Sequence, residues 1–185
     1  MKLRRLIPPL LILSGTIAVV SACGGFRRGP VGNAAVPMPA KAVDLKRYLG
    51  LWYEIARYDN GFETGCEGVT AEYRLRDDGL IQVINTCRQY TPTGPIKVAE
   101  GRAKVVEESA GARLKVSFFG PFLLGDYWIL DHDIDYAWSI VGEPSGRYLW
   151  LLSRTPRPDA ATRQTILNRA ISLGYDPGLL RETRH

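Results

Sequence analysis

The chain has 185 residues, of which 45% are hydrophobic, 10% aromatic and 23% charged, and this is the composition of an ordinary globular protein. These proportions exclude a disordered or collagen-like chain, and a chain of this length usually forms one domain. Two His, two Met and three Cys leave little material for a multi-ligand metal site or a His-based active site. The formal net charge of +5 includes Lys2, Arg4 and Arg5 of a removable leader, and without them the balance is 21 basic against 19 acidic residues. Nucleic-acid binding therefore loses its main sequence argument.

The first 22 residues have the features of a secretory leader. A basic start at Met1–Arg5 is followed by the mostly apolar stretch Leu6–Val20. That stretch is shorter than the ~20 apolar residues of a membrane-spanning helix, so we expect a cleaved signal peptide over residues 1–22. The sequence Val20-Ser21-Ala22-Cys23 resembles the bacterial lipobox, and the resemblance implies cleavage before Cys23 and acylation of that cysteine. A plain signal peptide with a coincidental cysteine is the alternative.

Residues 23–42 are expected to be a lipidated cysteine and a flexible tether, because residues 24–42 contain many Gly and Pro and show no hydrophobic period. Gly24, directly after Cys23, favours the outer over the inner membrane by the enterobacterial sorting pattern. The remaining residues, 43–185, form the predicted folded domain.

The other two cysteines, Cys66 and Cys87, predict a disulfide, because an even pair in a secreted protein is usually oxidised. They flank a predicted hairpin whose turn is Asp77-Asp78-Gly79, so the ladder brings them together. A catalytic thiol is the alternative, but no His lies within about 40 residues to lower its pKa.

From Trp52 onward, short segments rich in Val, Ile, Tyr, Phe and Trp alternate with turn residues. The pattern predicts eight strands: Trp52–Tyr58, Glu67–Leu75, Leu80–Cys87, Ile96–Val106, Ala112–Phe118, Gly125–Asp131, Tyr136–Val141 and Arg147–Ser153. Short links imply antiparallel neighbours, and closure removes the unpaired edges of such a sheet. We therefore predict an all-β, eight-stranded antiparallel up-and-down barrel that can hold one small ligand.

One helix is predicted after the last strand, over Asp159–Leu173, with Asp159 near its N-cap and Gly174 beyond its end. Its apolar stripe consists of Ile166, Leu167, Ala170 and Ile171. We expect this C-terminal helix to pack outside the barrel, and a partner-binding helix is the alternative.

The segment from Asp44 to Arg57 resembles the opening of a lipocalin. The Gly-x-Trp element of that family corresponds to Gly50-Leu51-Trp52, the Thr-Asp-Tyr element to Gly125-Asp126-Tyr127, and the final arginine to Arg154. The resemblance covers about Val43 to Tyr175 and is strongest to the bacterial outer-membrane lipocalins of the apolipoprotein D-like branch. It implies a structural barrel floor made by Gly50, Trp52 and Arg154, with a helical turn at residues 45–49 plugging the same end.

The interior of the barrel is the candidate ligand pocket. Strand alternation assigns to it a set of apolar and aromatic side chains: Ala56, Tyr58, Val69, Ala71, Tyr73, Val116, Phe118, Tyr127 and Ile129. Such a lining suits an acyl chain, and the family resemblance implies fatty acids and lysophospholipids. Arg57, Arg88 or Lys97 would meet a phosphate or carboxylate near the mouth, although a solvated charge is the alternative for each. A second alternative is a barrel filled by its own side chains.

No catalytic or metal-binding residue is predicted. The sequence lacks Gly-x-Ser-x-Gly, and the segment around His132 fails the EF-hand pattern because Tyr136 takes the place of its glycine. We interpret that segment as a solvated turn and expect a protein that is not an enzyme and needs no cofactor. An enzyme acting on a lipid and a structural envelope protein are the alternatives.

The predicted function is to hold or transport fatty acids or lysophospholipids in the bacterial cell envelope, including under envelope stress. The predicted location is the periplasmic face of the outer membrane, reached through the N-terminal lipid anchor. The resemblance leaves a homodimer open.

Overall fold

The computed structural model describes residues 29–120 and 122–185, so the expected signal peptide and Cys23 lie outside the described residues. A short helix, α1 (Leu45–Tyr48), precedes the strands, and helix α2 (Ala160–Ser172) follows the eighth of them. The strands are β1 (Gly50–Tyr58), β2 (Cys66–Leu75), β3 (Ile81–Gln89), β4 (Ile96–Val105), β5 (Arg113–Ser117), β6 (Gly125–His132), β7 (Trp138–Gly142), β8 (Leu149–Ser153) and β9 (Leu180–Glu182).

The first eight strands form the predicted closed barrel. Each strand from β1 to β8 pairs antiparallel with the next, and β1 also pairs with β8. This closure satisfies the edge groups that an open sheet would leave without hydrogen bonds. The expected eight-stranded antiparallel up-and-down barrel with one helix outside is thereby confirmed.

A β-bulge in β1 changes which side chains point inward. The register with β8 shifts between Glu54 and Ala56, and an extra residue reverses the inward and outward alternation beyond it. Trp52 and Glu54 lie inside before the bulge, and Arg57 lies inside after it, where it bonds to Glu54. A strict alternation of two residues, as assumed from the sequence, places Arg57 on the wrong face.

The ninth strand was not predicted. Pairing of β1 with β2 ends at Tyr53, and Ala56 then pairs with Leu151 of β8 on one edge and with Glu182 of β9 on the other. Strand β9 therefore occupies the edge of β1 that β2 has left, and the backbone N–H of Gly68 in β2 donates to the carbonyl of Arg184. A strand of three residues is too short to produce a detectable alternation.

Helix α2 begins after Asp159, whose side chain accepts from the backbone N–H of Thr162 at 2.7 Å. Its buried residues are Ile166 and Ala170, which pack under the helix against the barrel. The predicted stripe is narrower than expected, because Ile171 is 44% exposed.

Two apolar clusters pack against the barrel wall, one on its inner side and one on its outer side. The inner cluster, between the facing strands, contains Trp52, Tyr73, Val83, Ala103, Leu114, Ile129 and Leu152, among others. The outer cluster, under α2, contains Ile55, Ala56, Tyr58, Ile140, Leu149, Ile166 and Tyr175, among others. Trp150 packs against the inner cluster, whereas Trp128 and Trp138, which strand alternation in the sequence does not assign to either face, pack against the outer cluster.

The expectation of a flexible tether needs correction for residues 29–42, because these residues pack along the domain. Asn33 is buried, and its amide donates to the carbonyl of Leu173 at 2.9 Å. Val36 packs against the outer cluster, and Lys41 lies 3.5 Å from Asp131. Composition alone suggested flexibility, but apolar residues between the prolines find contacts on the barrel.

Candidate functional site: the barrel lumen

The floor of the barrel is sealed by Trp52 and Arg154. Trp52 is fully buried, and the Arg154 guanidinium carbon lies 3.7 Å from the centroid of its ring. Arg154 also donates to the carbonyls of Arg47, Tyr48 and Leu49 at 2.8–3.1 Å. These carbonyls belong to the end of α1, where helical partners are missing, so one cation fixes α1 across the end of the barrel.

The start of β1 at this floor requires an unusual backbone conformation. Gly50 has φ = +93° and lies just after α1, and the indole N–H of Trp52 donates to the carbonyl of Tyr48 at 2.8 Å. A side chain at position 50 would be strained. The structure thus brings Gly50, Trp52 and Arg154 together at one end of the barrel.

The other end is surrounded by four loops. Because successive strands are antiparallel and β1 starts at the floor, the described parts of the loops that follow β1, β3, β5 and β7 all lie at the opposite end. We call this end the mouth.

A layer of hydroxyl groups lies above the floor. Tyr127 Oη is 2.7 Å from Tyr73 Oη and 3.0 Å from Tyr48 Oη, and Tyr48 is in turn 3.2 Å from Ser139 Oγ. Burial raises the pKa of Tyr48 to about 12 and raises the pKa values of Tyr73 and Tyr127 as well. All three phenols therefore keep their protons at neutral pH and bond to one another, so the inner end of the lumen is polar but uncharged.

A buried charged cluster lies nearer the mouth. Arg57 is fully buried and donates to Glu54 Oε1 at 2.5 Å and to the carbonyls of Glu63 and Cys66 at 3.1 Å. The Glu63 carboxylate is 3.9 Å from Arg57 Nε and accepts from the indole N–H of Trp150 at 3.0 Å. Arg57 is therefore committed to the protein and is not available for a ligand anion.

The carboxyl group of Glu54 has a perturbed pKa. Burial raises the pKa of Glu54 and the neighbouring Glu63 raises it further, while Arg57 and the Thr183 hydroxyl lower it. One buried cation thus faces two carboxylates. Only the bulge and the C-terminal segment bring Arg57 and Thr183 to Glu54.

Six of the nine predicted pocket residues belong to or pack against the inner cluster. They are Ala71, Tyr73, Val116, Phe118, Tyr127 and Ile129. Tyr73 and Ile129 are buried in the wall itself, whereas the other four keep partial exposure. A seventh, Val69, packs against the disulfide between Cys66 and Cys87, which the structure contains as expected.

The remaining two predicted pocket residues, Ala56 and Tyr58, do not face the lumen. Both lie in the outer cluster, and the Tyr58 hydroxyl donates to the carbonyl of Asp176 at 2.8 Å. The β-bulge after Glu54 turns them outward, and this corrects the assignment made from strict alternation.

The lumen wall includes Asn85, which the sequence reasoning missed, and Lys97, which it considered only as a charge near the mouth. Asn85 lies directly opposite Ala71 and Ala99, and Lys97 lies opposite Cys87. Residues that face each other across a ladder share one face of the sheet, so these side chains line the lumen with Ala71. The pairing of β3 with β4 would have identified them, had the register been known.

The three basic residues considered for a ligand headgroup have different surroundings. Arg57 is buried in the charged cluster. Arg88, one residue beyond Cys87, points to the outer face and donates to the carbonyl of Gly94 at 3.4 Å. Arg57 and Lys97 both lie on the lumen face, but only Lys97 is exposed, and it forms no ion pair with the described residues.

His132 is not part of a solvated turn. It is buried, stacks on Tyr136 with centroids 4.3 Å apart, and its ring nitrogens bond to the carbonyls of Asp133 and Ala42. Within residues 29–120 and 122–185, no three His, Cys, Asp or Glu side chains are grouped to hold a metal ion. None of the helices in this part of the chain combines the length and the apolar character of a membrane-crossing segment.

A closed eight-stranded antiparallel barrel with Trp52 and Arg154 across one end and an apolar inner cluster defines a lipocalin-type fold. Residues 43–185 match the lipocalin-like domain family, and the chain belongs to that family. The resemblance drawn from Gly50-Leu51-Trp52 and Arg154 is confirmed by this match. Lipocalins are binding and transport proteins rather than enzymes.

Among its relatives, the chain is 41% identical over 160 residues to the outer membrane lipoprotein Blc of Vibrio cholerae serotype O1, covering 85% of this chain and 92% of that protein. It is 46% identical over 147 residues to the outer membrane lipoprotein Blc of Escherichia coli K12, covering 76% and 81%. Insecticyanin from the tobacco hornworm Manduca sexta has the same fold, with a TM-score of 0.66 at 20% identity over 83% of this chain and 87% of that one.

Proposed function

We propose that this protein is a lipid-anchored carrier that holds or transports fatty acids or lysophospholipids in the bacterial cell envelope. The observation that carries the proposal is the partly exposed apolar wall inside a barrel whose floor is sealed. Ala71, Val116, Phe118 and Trp150 offer methyl, ring and indole surface to a ligand that enters from the mouth. Burial of an acyl chain in such a site contributes ~0.8 kcal/mol of favourable transfer free energy for each methylene group.

The shape of the lumen favours an elongated ligand with one polar end. The hydroxyl layer of Tyr48, Tyr73 and Tyr127 stops the chain at depth. Lys97 near the mouth supplies a positive charge for a phosphate or carboxylate at the other end. The polar end of the ligand would thus remain close to water while its chain is buried.

The N-terminus and the relatives support the proposed location. A lipobox-like sequence ends at Cys23, and two acyl chains there anchor a protein stably. The relatives from Vibrio cholerae and Escherichia coli are named outer membrane lipoproteins. We place this chain at the periplasmic face of the outer membrane, where it would supply or remove lipids during envelope stress.

The first test is direct identification of the bound lipid. The full chain, purified from membranes and transferred from detergent to an amphipathic polymer, would be extracted with organic solvent and analysed by mass spectrometry. We expect about one fatty acid or lysophospholipid per chain beyond the anchor, displaced by added lysophosphatidylethanolamine.

A filled-lumen variant tests where the lipid binds. Ala71→Trp places an indole in the lumen and should reduce the bound lipid at least tenfold. Thr86→Trp is the matched control, because Thr86 lies on the outer face of β3 between inward residues and should keep its lipid. Equal lipid content in the two variants would contradict the lumen as the site.

A further inference from the structure

Strands β1 and β2 pair over only part of their length. Their ladder ends where Tyr53 lies opposite Thr70. Toward the mouth, β1 continues to Tyr58 and β2 begins at Cys66, so both strands extend beyond the last pair. The wall of the barrel therefore has a gap between β1 and β2 in its mouth half, and strand edges left open there would expose unpaired N–H and C=O groups.

Residues 180–185, which we call the closing segment, fill this gap. On one side, all three residues of β9 pair with β1, and the N–H of Thr183 donates to the carbonyl of Ile55 at 3.0 Å. On the other side, a single backbone hydrogen bond among the described residues joins the segment to β2, from the N–H of Gly68 to the carbonyl of Arg184 at 2.7 Å. The backbone of the closing segment is therefore attached to β1 by a ladder and to β2 at one point.

One carboxylate supplies most of the remaining attachment to β2. Glu67 is 2% exposed, and its Oε1 atom accepts from Arg181 Nη2 at 2.6 Å and from Arg184 Nη2 at 3.2 Å. Its Oε2 atom accepts from the backbone N–H of Arg184 at 2.8 Å. The two arginines also donate to the carbonyls of Cys66 and Tyr90, at 3.5 Å and 3.1 Å. Bonds between charged groups are about twice as strong as neutral ones, so Glu67 is the main contact between β2 and the closing segment.

The carboxyl group of Glu67 is ionised at neutral pH. Burial raises the pKa of Glu67, but the hydrogen bonds from Arg184 and the positive charges of Arg181 and Arg184 lower it further, so the pKa lies below its ordinary value of 4.5. The ion pairs are therefore present under physiological conditions.

The inner face of the closing segment covers the buried charged cluster. Thr183 is buried, and its hydroxyl donates to Glu54 Oε1 and accepts from Arg57 Nη1 at 3.2 Å. Arg57 crosses the gap behind the segment, because its Nη2 atom donates to the carbonyl of Cys66 at 3.1 Å. The Nε atom of Arg57 has no hydrogen-bond partner among the described residues. Polar and charged groups therefore lie directly behind this part of the wall.

A polar interior lowers the free energy needed to open this part of the wall. Water that enters behind the closing segment supplies the hydrogen bond that Arg57 Nε lacks, and it hydrates the carboxylates beside it. An apolar interior would oppose the same motion, because the hydration of apolar surface is unfavourable. The ladder with β1 can stay formed while the contacts with β2 break.

We propose that the closing segment is a gate in the side of the barrel, kept closed by the ion pairs of Glu67. It opens by separating from β2 while it remains paired with β1, and the mouth then extends as a slot down the wall toward Tyr53 and Thr70. A long-chain ligand enters or leaves through this slot sideways, without being threaded through the mouth along its whole length. The route of the ligand rests on the proposed function, whereas the motion of the segment does not.

Amide hydrogen exchange of the full chain without added ligand, resolved to single residues, tests the motion. Two variants weaken the ion pairs from opposite sides, namely Glu67→Gln on β2 and the double variant Arg181→Gln with Arg184→Gln on the segment. In both, we expect the N–H of Gly68 to exchange about tenfold faster, which corresponds to ~1.4 kcal/mol. The N–H groups of the β1–β2 ladder should keep their wild-type rates, because the floor half of the wall stays closed.

Glu72→Gln is the matched control. Glu72 lies on the same strand and forms an ion pair with Arg74 at 2.7 Å, but it belongs to the half of β2 that pairs with β1. This substitution should leave the exchange of Gly68 unchanged. Wild-type exchange at Gly68 in the double arginine variant would overturn the gate, even if Glu67→Gln fails to fold. Faster exchange throughout the β1–β2 ladder would also overturn it, because that result reports general unfolding and not a local opening.

Stopped-flow binding of 1-palmitoyl lysophosphatidylethanolamine, followed by Trp fluorescence, tests the route. A gate changes the path between the free and bound states and leaves the two states as they are. The association and dissociation rate constants should therefore both rise roughly threefold in the double arginine variant, with an unchanged Kd. Faster exchange at Gly68 with unchanged rate constants would overturn the route through the wall. A wild-type chain that binds no lysophospholipid would refute the proposed function and with it the route, while hydrogen exchange still decides whether the segment opens.

Discussion

The barrel floor offers a quantitative test, because Arg154 serves two roles in one position. Its guanidinium stacks on Trp52 and donates to four carbonyls, including that of Leu51 at 2.7 Å. Arg154→Lys keeps the positive charge but loses the planar guanidinium group, which stacks on the indole and offers several N–H donors. The stacking contributes ~0.5–1 kcal/mol at a partly exposed site, and each lost hydrogen bond ~0.5–1 kcal/mol. With two of the four bonds lost, we expect a decrease of about 2 kcal/mol in the free energy of unfolding.

Urea unfolding followed by far-UV circular dichroism measures this change, and near-UV circular dichroism reports the packing of Trp52. Arg163→Lys is the matched control, because Arg163 forms only an exposed ion pair with Glu182, and such pairs contribute ~0–1 kcal/mol. Arg154→Met removes every bond and should cost more than Arg154→Lys. The reasoning is refuted if Arg154→Lys unfolds at the wild-type urea concentration with an unchanged near-UV spectrum.

Three further predictions concern the lumen and its wall. Burial raises the pKa of Glu54 to about 8 from an ordinary 4.5, so between these values the folded chain binds more protons than the unfolded chain and stability falls as pH rises; thermal unfolding at pH 6–9 should show this slope in the wild type and lose it in Glu54→Gln. Ala71→Trp should fold with unchanged far-UV circular dichroism and lose its binding of lysolipid, and an affinity equal to that of the wild type would show that lysolipid binds elsewhere. The paired substitution Cys66→Ser and Cys87→Ser opens a loop of sequence separation 21 and should lower the free energy of unfolding by ~3 kcal/mol, with an unchanged unfolding midpoint as the contrary result.

The elements that could be predicted from the sequence are those governed by local patterns. The eight barrel strands were identified within a few residues of their observed bounds because alternation and turn residues act over short distances. The N-cap at Asp159 and the disulfide between Cys66 and Cys87 belong to the same group. Each depends on residue types and spacing that remain visible without the fold.

The errors share one cause, which is that register is a tertiary property. Ala56 and Tyr58 were assigned inward and Arg57 out of phase, because a bulge in β1 leaves no mark in the sequence. Asn85 and Lys97 were not recognised as one lumen face, because the pairing of β3 with β4 sets that relation.

The sequence by itself determined the class of the molecule, which is a closed antiparallel barrel with a floor of Trp52 and Arg154 and a largely apolar interior. The tertiary structure decided which polar groups enter that interior. The pairing of β9 with β1 brings Thr183 to Glu54, and the bulge brings Arg57 to the same carboxyl group. Apolar periodicity arises from short-range geometry, whereas a buried polar group is positioned by strands that are distant in the chain, so only the folded barrel shows which polar groups enter its interior.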